Sequence, residues 1–203
     1  MIGHEEGRIS SDSGGIDMKN SFTVHKIVFI AILAALVFVV TFFRFPLLGS
    51  KVHLANAICL LSGLLMGPLA GGLAAGLGSM LYDVFFYPSD LVTYLITFLT
   101  KFAMAWICGN IAFSVDKEAK NHGWNIVACV AGAWSYVALY MLKTFVYQKF
   151  VYGYPDETVW AAVLSKFPAS AINAVVAMIV APILYTALRP ALHQARLLEK
   201  MRS

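Results

Sequence analysis

Three lysines and an aspartate sit where charge is least expected. Lys101, Lys143, Lys166 and Asp83 all lie inside long apolar runs. Such a charge costs about 2.5–3.5 kcal/mol on membrane-insertion scales, so it usually faces a bundle interior or a water-filled cavity. Polar and aromatic residues recur around them three or four apart, the spacing that shares one helix face. Tyr136, Tyr140, Lys143 and Tyr147 form one face, Lys166, Ser170 and Asn173 a second, and Tyr94, Thr97 and Lys101 a third. Gly72, Gly76, Ser79 and Asp83 form a smooth fourth face ending in a carboxylate, and Asn56 opens its own apolar segment.

Rings with a few convergent donors and acceptors describe a small-molecule site. The expected chemistry is capture. Tyr136, Tyr140 and Trp160 would sandwich a ring, and Lys101, Lys143 and Lys166 would donate to ring nitrogens, hydroxyls or a carboxylate. Asp83, Asn56 and Asn173 would fix orientation, with Tyr94 on the Lys101 face. Three cations against one acid favour an acceptor-rich or anionic ligand. Plainer readings stand beside this one. Lys143 and Lys166 can snorkel to an interface, Tyr147 can be an interfacial anchor, and Asp83 with Lys101 can be a structural ion pair.

No catalytic constellation accompanies these residues. There is no GxxxxGK[ST] run, so ATP cannot be held by a P-loop, and the GxG pieces lie within an apolar helix rather than after a strand. His4, His25, His53, His122 and His193 fall at or beyond segment ends and form no metal cluster. Cys59, Cys108 and Cys129 are far apart inside apolar segments and read as small packing residues. No cofactor or metal is expected, and the chain is not read as an enzyme.

The elements that must position these residues are membrane helices. The 203 residues are 60% hydrophobic and 13% charged, against about 25% charged in a soluble domain. Apolar runs near 18 residues or longer read as spans. Six are expected: about Thr23–Phe43, Leu54–Met66, Leu69–Phe86, Leu91–Phe113, Trp124–Tyr147 and Trp160–Leu188. The second is short, and Gly67-Pro68 separates it from a glycine-rich third. Such interrupted spans are tolerable where neighbours satisfy the backbone. The fold class is therefore an all-α integral membrane protein with six transmembrane helices over 23–190. A polar tail, 1–22, is expected to be disordered, and a basic tail follows at 191–203. Arg44 to His53 reads as a short polar loop.

Six spans put both termini on one side of a cell membrane. That side, with the 116–123 loop, carries Arg8, Lys19, Lys26, Lys117, Lys120, Arg189, Arg196, Lys200 and Arg202. The other side has only Arg44, Lys51 and Lys149. The positive-inside rule makes both termini cytoplasmic and places all four intramembrane charges in the outer half. The net charge of +4 follows from this bias and calls for no nucleic acid, while the basic tail suits anionic membrane lipid. In the first span, Ala31 and Ala35 with Ala34 beside them allow close helix approach, either within the chain or to another membrane protein.

The run HLANAICLLSGLLMGPLAGGLAAGLGSMLYDVF, followed by TFLTKFAMAWICGNI, resembles the substrate-binding S components of energy-coupling factor (ECF) vitamin transporters. The nearer likeness is to the riboflavin- or hydroxymethylpyrimidine-type subgroup. It covers roughly residues 23–190 and rests most on Asn56, Gly67-Pro68, Gly71, Gly76 to Ser79, Asp83 and Lys101, then on Pro168 to Asn173. The resemblance implies a six-helix S component that captures a vitamin or precursor outside. It implies partners too: a transmembrane coupling subunit (the T component), docked at Ala31, Ala34 and Ala35, and two ATPase subunits. Hydroxymethylpyrimidine or a related pyridine vitamin is the first candidate, chiefly by subgroup, with pantothenate, riboflavin and folate as alternatives. A stand-alone secondary transporter would show internal repeats and ion-coordinating acids, and a membrane enzyme would need a nucleophile or metal ligands. The sequence supplies neither set.

Overall fold

A computed structural model describes residues 23–47, 50–87, 90–115 and 119–202. The expected disordered tail, the Pro88-Ser89 part of the third loop and residues 116–118 lie outside the described residues. The order is α1 (Val24–Val40), β1 (Arg44–Leu47), β2 (Ser50–His53), α2 (Ala55–Met66), α3 (Pro68–Phe86), α4 (Leu91–Val115), α5 (His122–Val146), a π-helical turn (Tyr147–Val151), α6 (Asp156–Gln194) and α7 (Leu197–Arg202).

All twelve residues of α2 are buried. At 1.5 Å per residue it is only about 18 Å long, well short of a hydrocarbon core of about 30 Å. It is the hub of the bundle, packed against α1, α3, α4, α5 and α6. Four helices are long and apolar enough to cross a membrane: α3, α4, α5 with its π turn, and α6. The six expected apolar helices are present, and α1 and α2 are the shorter two.

The α2–α3 junction follows from Gly67, whose φ of 79° is left-handed, and Pro68 at the first helical position. The two helices then run in near contact. A Cβ at Gly71 would lie 2.5 Å from the Ser62 carbonyl oxygen and 2.6 Å from the Gly63 Cα, and the Ser62 hydroxyl donates to the Gly71 carbonyl at 2.9 Å. Aromatic contacts step upward together along α1 and α3, Phe38 on Tyr82 and Phe42 on Phe86, so these two helices run parallel.

Three expectations change. The 44–53 segment is not an irregular loop but an antiparallel hairpin in which Arg44 pairs with His53 and Leu47 with Ser50. Its strands have only each other, and Pro46 is tolerated because an edge strand loses little to a missing N–H. The last helix begins at Asp156 and does not stop at Arg189-Pro190 but continues to Gln194. The segment after Arg189 is helical as well, and α7 buries Leu198 and Met201 against α1, α2 and α6.

Gly71→Val should lower the unfolding temperature of the detergent-solubilised protein sharply, since its neighbours are backbone atoms that cannot give way; overpacking of this kind costs roughly 1–3 kcal/mol or more. Gly123→Ala meets nothing nearer than the Asn121 side chain at 3.5 Å and should be neutral or stabilising. Equal stability of the two variants would contradict the close α2–α3 contact.

Candidate functional site

Lys101 lies just before the midpoint of α4, where it is buried at 6% exposure. Its ammonium donates to Asn56 Oδ1 on α2 and stands 3.8 Å from the centroid of the Tyr136 ring on α5. One cation thus joins three helices. A buried ammonium needs this, because taking it out of water costs several kcal/mol unless hydrogen bonds and an electron-rich ring replace the hydration. Tyr140 stacks beside Tyr136 one turn on, with centroids 6.0 Å apart and planes at 20°. Asn56, 1% exposed, is held by its oxygen, while its buried Nδ2 has no acceptor among the described residues. The Cys59 thiol lies close enough to feel the Lys101 charge and stands 4.0 Å from the Ser79 hydroxyl.

A second tier lies toward the end of α3 and the start of α4. Lys143, half-buried, is within electrostatic reach of Asp83, Lys166 and Asp90. Its ammonium is 5.8 Å from the Tyr147 ring centroid. Asp90 lies just before α4, and the Thr93 hydroxyl, 2.5 Å away, holds its carboxyl below the usual carboxylate range. Two lysines and two acids nearly balance in this tier. The expected surplus of three cations over one acid shrinks to the single cation at Lys101.

Several expected positions turn out to have other partners. Among the described residues no ion pair joins Asp83 to Lys101; the lysine reaches Asn56 instead. Gly72 and Gly76 do not line an open face: a Cβ at either would touch Phe102 or Phe98 of α4 at under 3 Å. Trp160 does not close over Tyr136 and Tyr140; it is 56% exposed and packs on Phe145. The Tyr94 hydroxyl donates to the Tyr87 carbonyl at 3.1 Å and closes the α3–α4 connection. Asn173 Oδ1 accepts the His53 backbone N–H at 2.9 Å, pinning the hairpin to α6. Lys166 stays half-buried.

The three alanines of α1 separate. Ala31 and Ala35 are exposed on the outer face of the helix. Ala34 is buried, its carbonyl against Gly78 of α3, so it packs within the chain and cannot meet a partner.

His53 and Cys59 were not legible as site neighbours, whereas Ser79 lies on a face read as part of the site. His53 reads as a loop residue, and Cys59 as packing in an apolar run. Only Cys59, three residues after Asn56, carries a periodic hint.

The sequence matches the family described as "ECF-type riboflavin transporter, S component" over residues 21–190. The chain belongs to this family. It is a family of transporter substrate-binding subunits, not of enzymes. No curated protein matches the sequence. Among solved structures, one titled "Structure and mechanism of the S component of a bacterial ECF transporter" aligns at a TM-score of 0.63 and 22% identity, covering 82% of this chain and 96% of that one. At that identity the likeness establishes the fold. This S component is accordingly a helical, multi-pass membrane protein.

A double-mutant cycle tests the buried cation. Asn56→Leu leaves the Lys101 ammonium without its hydrogen bond and should destabilise by about 1.5–3 kcal/mol, the range for a hydrogen bond to a charged group. Lys101→Met combined with Asn56→Leu should recover most of that loss in the same denaturation assay. Strictly additive losses would mean that the two side chains are not coupled.

Proposed function

We propose that this chain is the substrate-binding subunit of an ECF-type importer. It crosses the membrane with six helices and keeps both termini in the cytoplasm. It captures a small heteroaromatic vitamin or precursor from outside. One observation carries the reading: the buried cluster of Lys101, Asn56 and Tyr136, with an ammonium beside an amide N–H that no described residue accepts. Both groups are donors, so the matching ligand presents ring nitrogens or carbonyl oxygens. Tyr136 and Tyr140 supply stacking surface. The near-neutral outer tier of Lys143, Lys166, Asp83 and Asp90 suits passage of an uncharged, acceptor-rich ring better than a strongly anionic one.

Hydroxymethylpyrimidine or a related pyridine or pyrimidine vitamin fits this pattern first. Riboflavin is the second reading, favoured by the family description itself; its flavin also carries a pyrimidinedione edge. Pantothenate and folate follow. Trp160 and Tyr94 stand at the margin of this reading, and Asn173 contributes by holding the hairpin.

Energy would come from partners: a T component and two ATPase subunits. The exposed Ala31 and Ala35 present a smooth strip of α1 on which another helix can approach closely.

Two experiments test these assignments. Native mass spectrometry of the purified protein, with release of any bound compound, should identify a heteroaromatic vitamin. Lys101→Ala and Tyr140→Ala should each weaken its binding at least about tenfold, or roughly 1.4 kcal/mol, with membrane insertion intact; normal binding by both variants would overturn the site. Ala31→Trp with Ala35→Trp should abolish transport and co-purification of the partners while sparing ligand binding. Loss of ligand binding as well would point to packing within the chain.

A further inference from the structure

A cavity of about 450 Å³ lies at the opposite end of the bundle from Lys101, between the start of α5 and the last third of α6. Its walls are Ile126, Pro182 and Ile183, and its polar lining is His122, Asn125, Tyr185 and Thr186. Its depth follows from the sequence. The stretch from Phe167 to Leu188 is free of charge between Lys166 and Arg189 and spans about 33 Å of helix, the thickness of a hydrocarbon core. Arg189 therefore marks the boundary, and Pro182 to Thr186 lie one to two turns inside it. An apolar cavity at that level opens among lipid chains just below their headgroups.

The polar side chains of the lining are mostly turned inward. Asn125 and Tyr185 are 1% and 0% exposed, and both donate to the Ala119 carbonyl, at 2.8 and 3.0 Å. The Thr186 hydroxyl donates to the Ile183 carbonyl at 2.8 Å. The surface open to an occupant is therefore apolar. Arg189 follows Thr186 by three residues and shares its helix face, which adds a cation at phosphate level.

We propose that this cavity is a site for one anionic phospholipid, drawn from the leaflet on the side of the chain termini. An acyl chain lies along Ile126, Pro182 and Ile183, and the phosphate faces Arg189. Choline headgroups lack the net negative charge.

The test is native mass spectrometry of the full chain loaded with phosphatidylglycerol or phosphatidylcholine of matched acyl chains. Wild-type protein should retain phosphatidylglycerol about fivefold better, the factor expected from a single basic residue at an anionic surface. Ile183→Trp, which fills the cavity from a position 60% exposed, and Arg189→Gln should each bring the ratio to about one. Equal retention of the two lipids by wild-type protein overturns the proposal. So does a preference that survives Ile183→Trp in a protein of unchanged melting temperature. If Ile183→Trp melts early, a preference intact in Arg189→Gln overturns it instead.

Discussion

The structure depends on burying a helix on every side. α2 has no lipid-facing surface, and each of its neighbours must come close enough to cover it. Close approach requires small residues, and they lie where the contacts fall: Gly63 against Ala105, Gly71 against Ser62 and Gly63, Gly132 against Leu60. Within a bilayer the hydrophobic effect does not drive helices together, so tight van der Waals packing of this kind supplies the association. The abundance of glycine and alanine in α2, α3 and α5 follows from that requirement.

The same geometry makes the polar site. Because α2 is central, Asn56 at its N-terminal end is reachable from α4 and α5 together. Lys101 and Tyr136 converge on it from those two helices. A cation in this position is held by groups on three separate elements, which fixes their relative heights more strictly than apolar contact alone. The hairpin adds a second polar tie through His53 and Asn173.

Much of this was legible in the sequence. The apolar helices, the Gly67-Pro68 junction and the convergence of Asn56, Lys101, Tyr136 and Tyr140 followed from hydropathy, turn chemistry and helical spacing. Spacing gives a helix face but not its rotation in the bundle, and there the reading failed. Gly72 and Gly76 share a face with Asp83, yet they meet Phe102 and Phe98. Trp160 sits at the expected depth but turns outward onto Phe145. Ala34 is one residue from two exposed alanines and points the other way. The hairpin was missed because four-residue strands are too short for alternation to register, and α6 runs past Pro190 as it does past Pro168 and Pro182, because a proline removes one backbone donor and can kink a helix without ending it.

A helix of about 18 Å in a bilayer of about 30 Å creates a thin place in the membrane's electrical insulation. The hairpin leads into its outer end and α7 packs on it from the side of the termini, but peptide and side chain are more polarisable than hydrocarbon. The lysine next to α2 has no acid as counter-charge among the described residues. The shortest apolar helix of the bundle is thus the one with a buried ammonium beside it and, among the described residues, no acid paired to that ammonium.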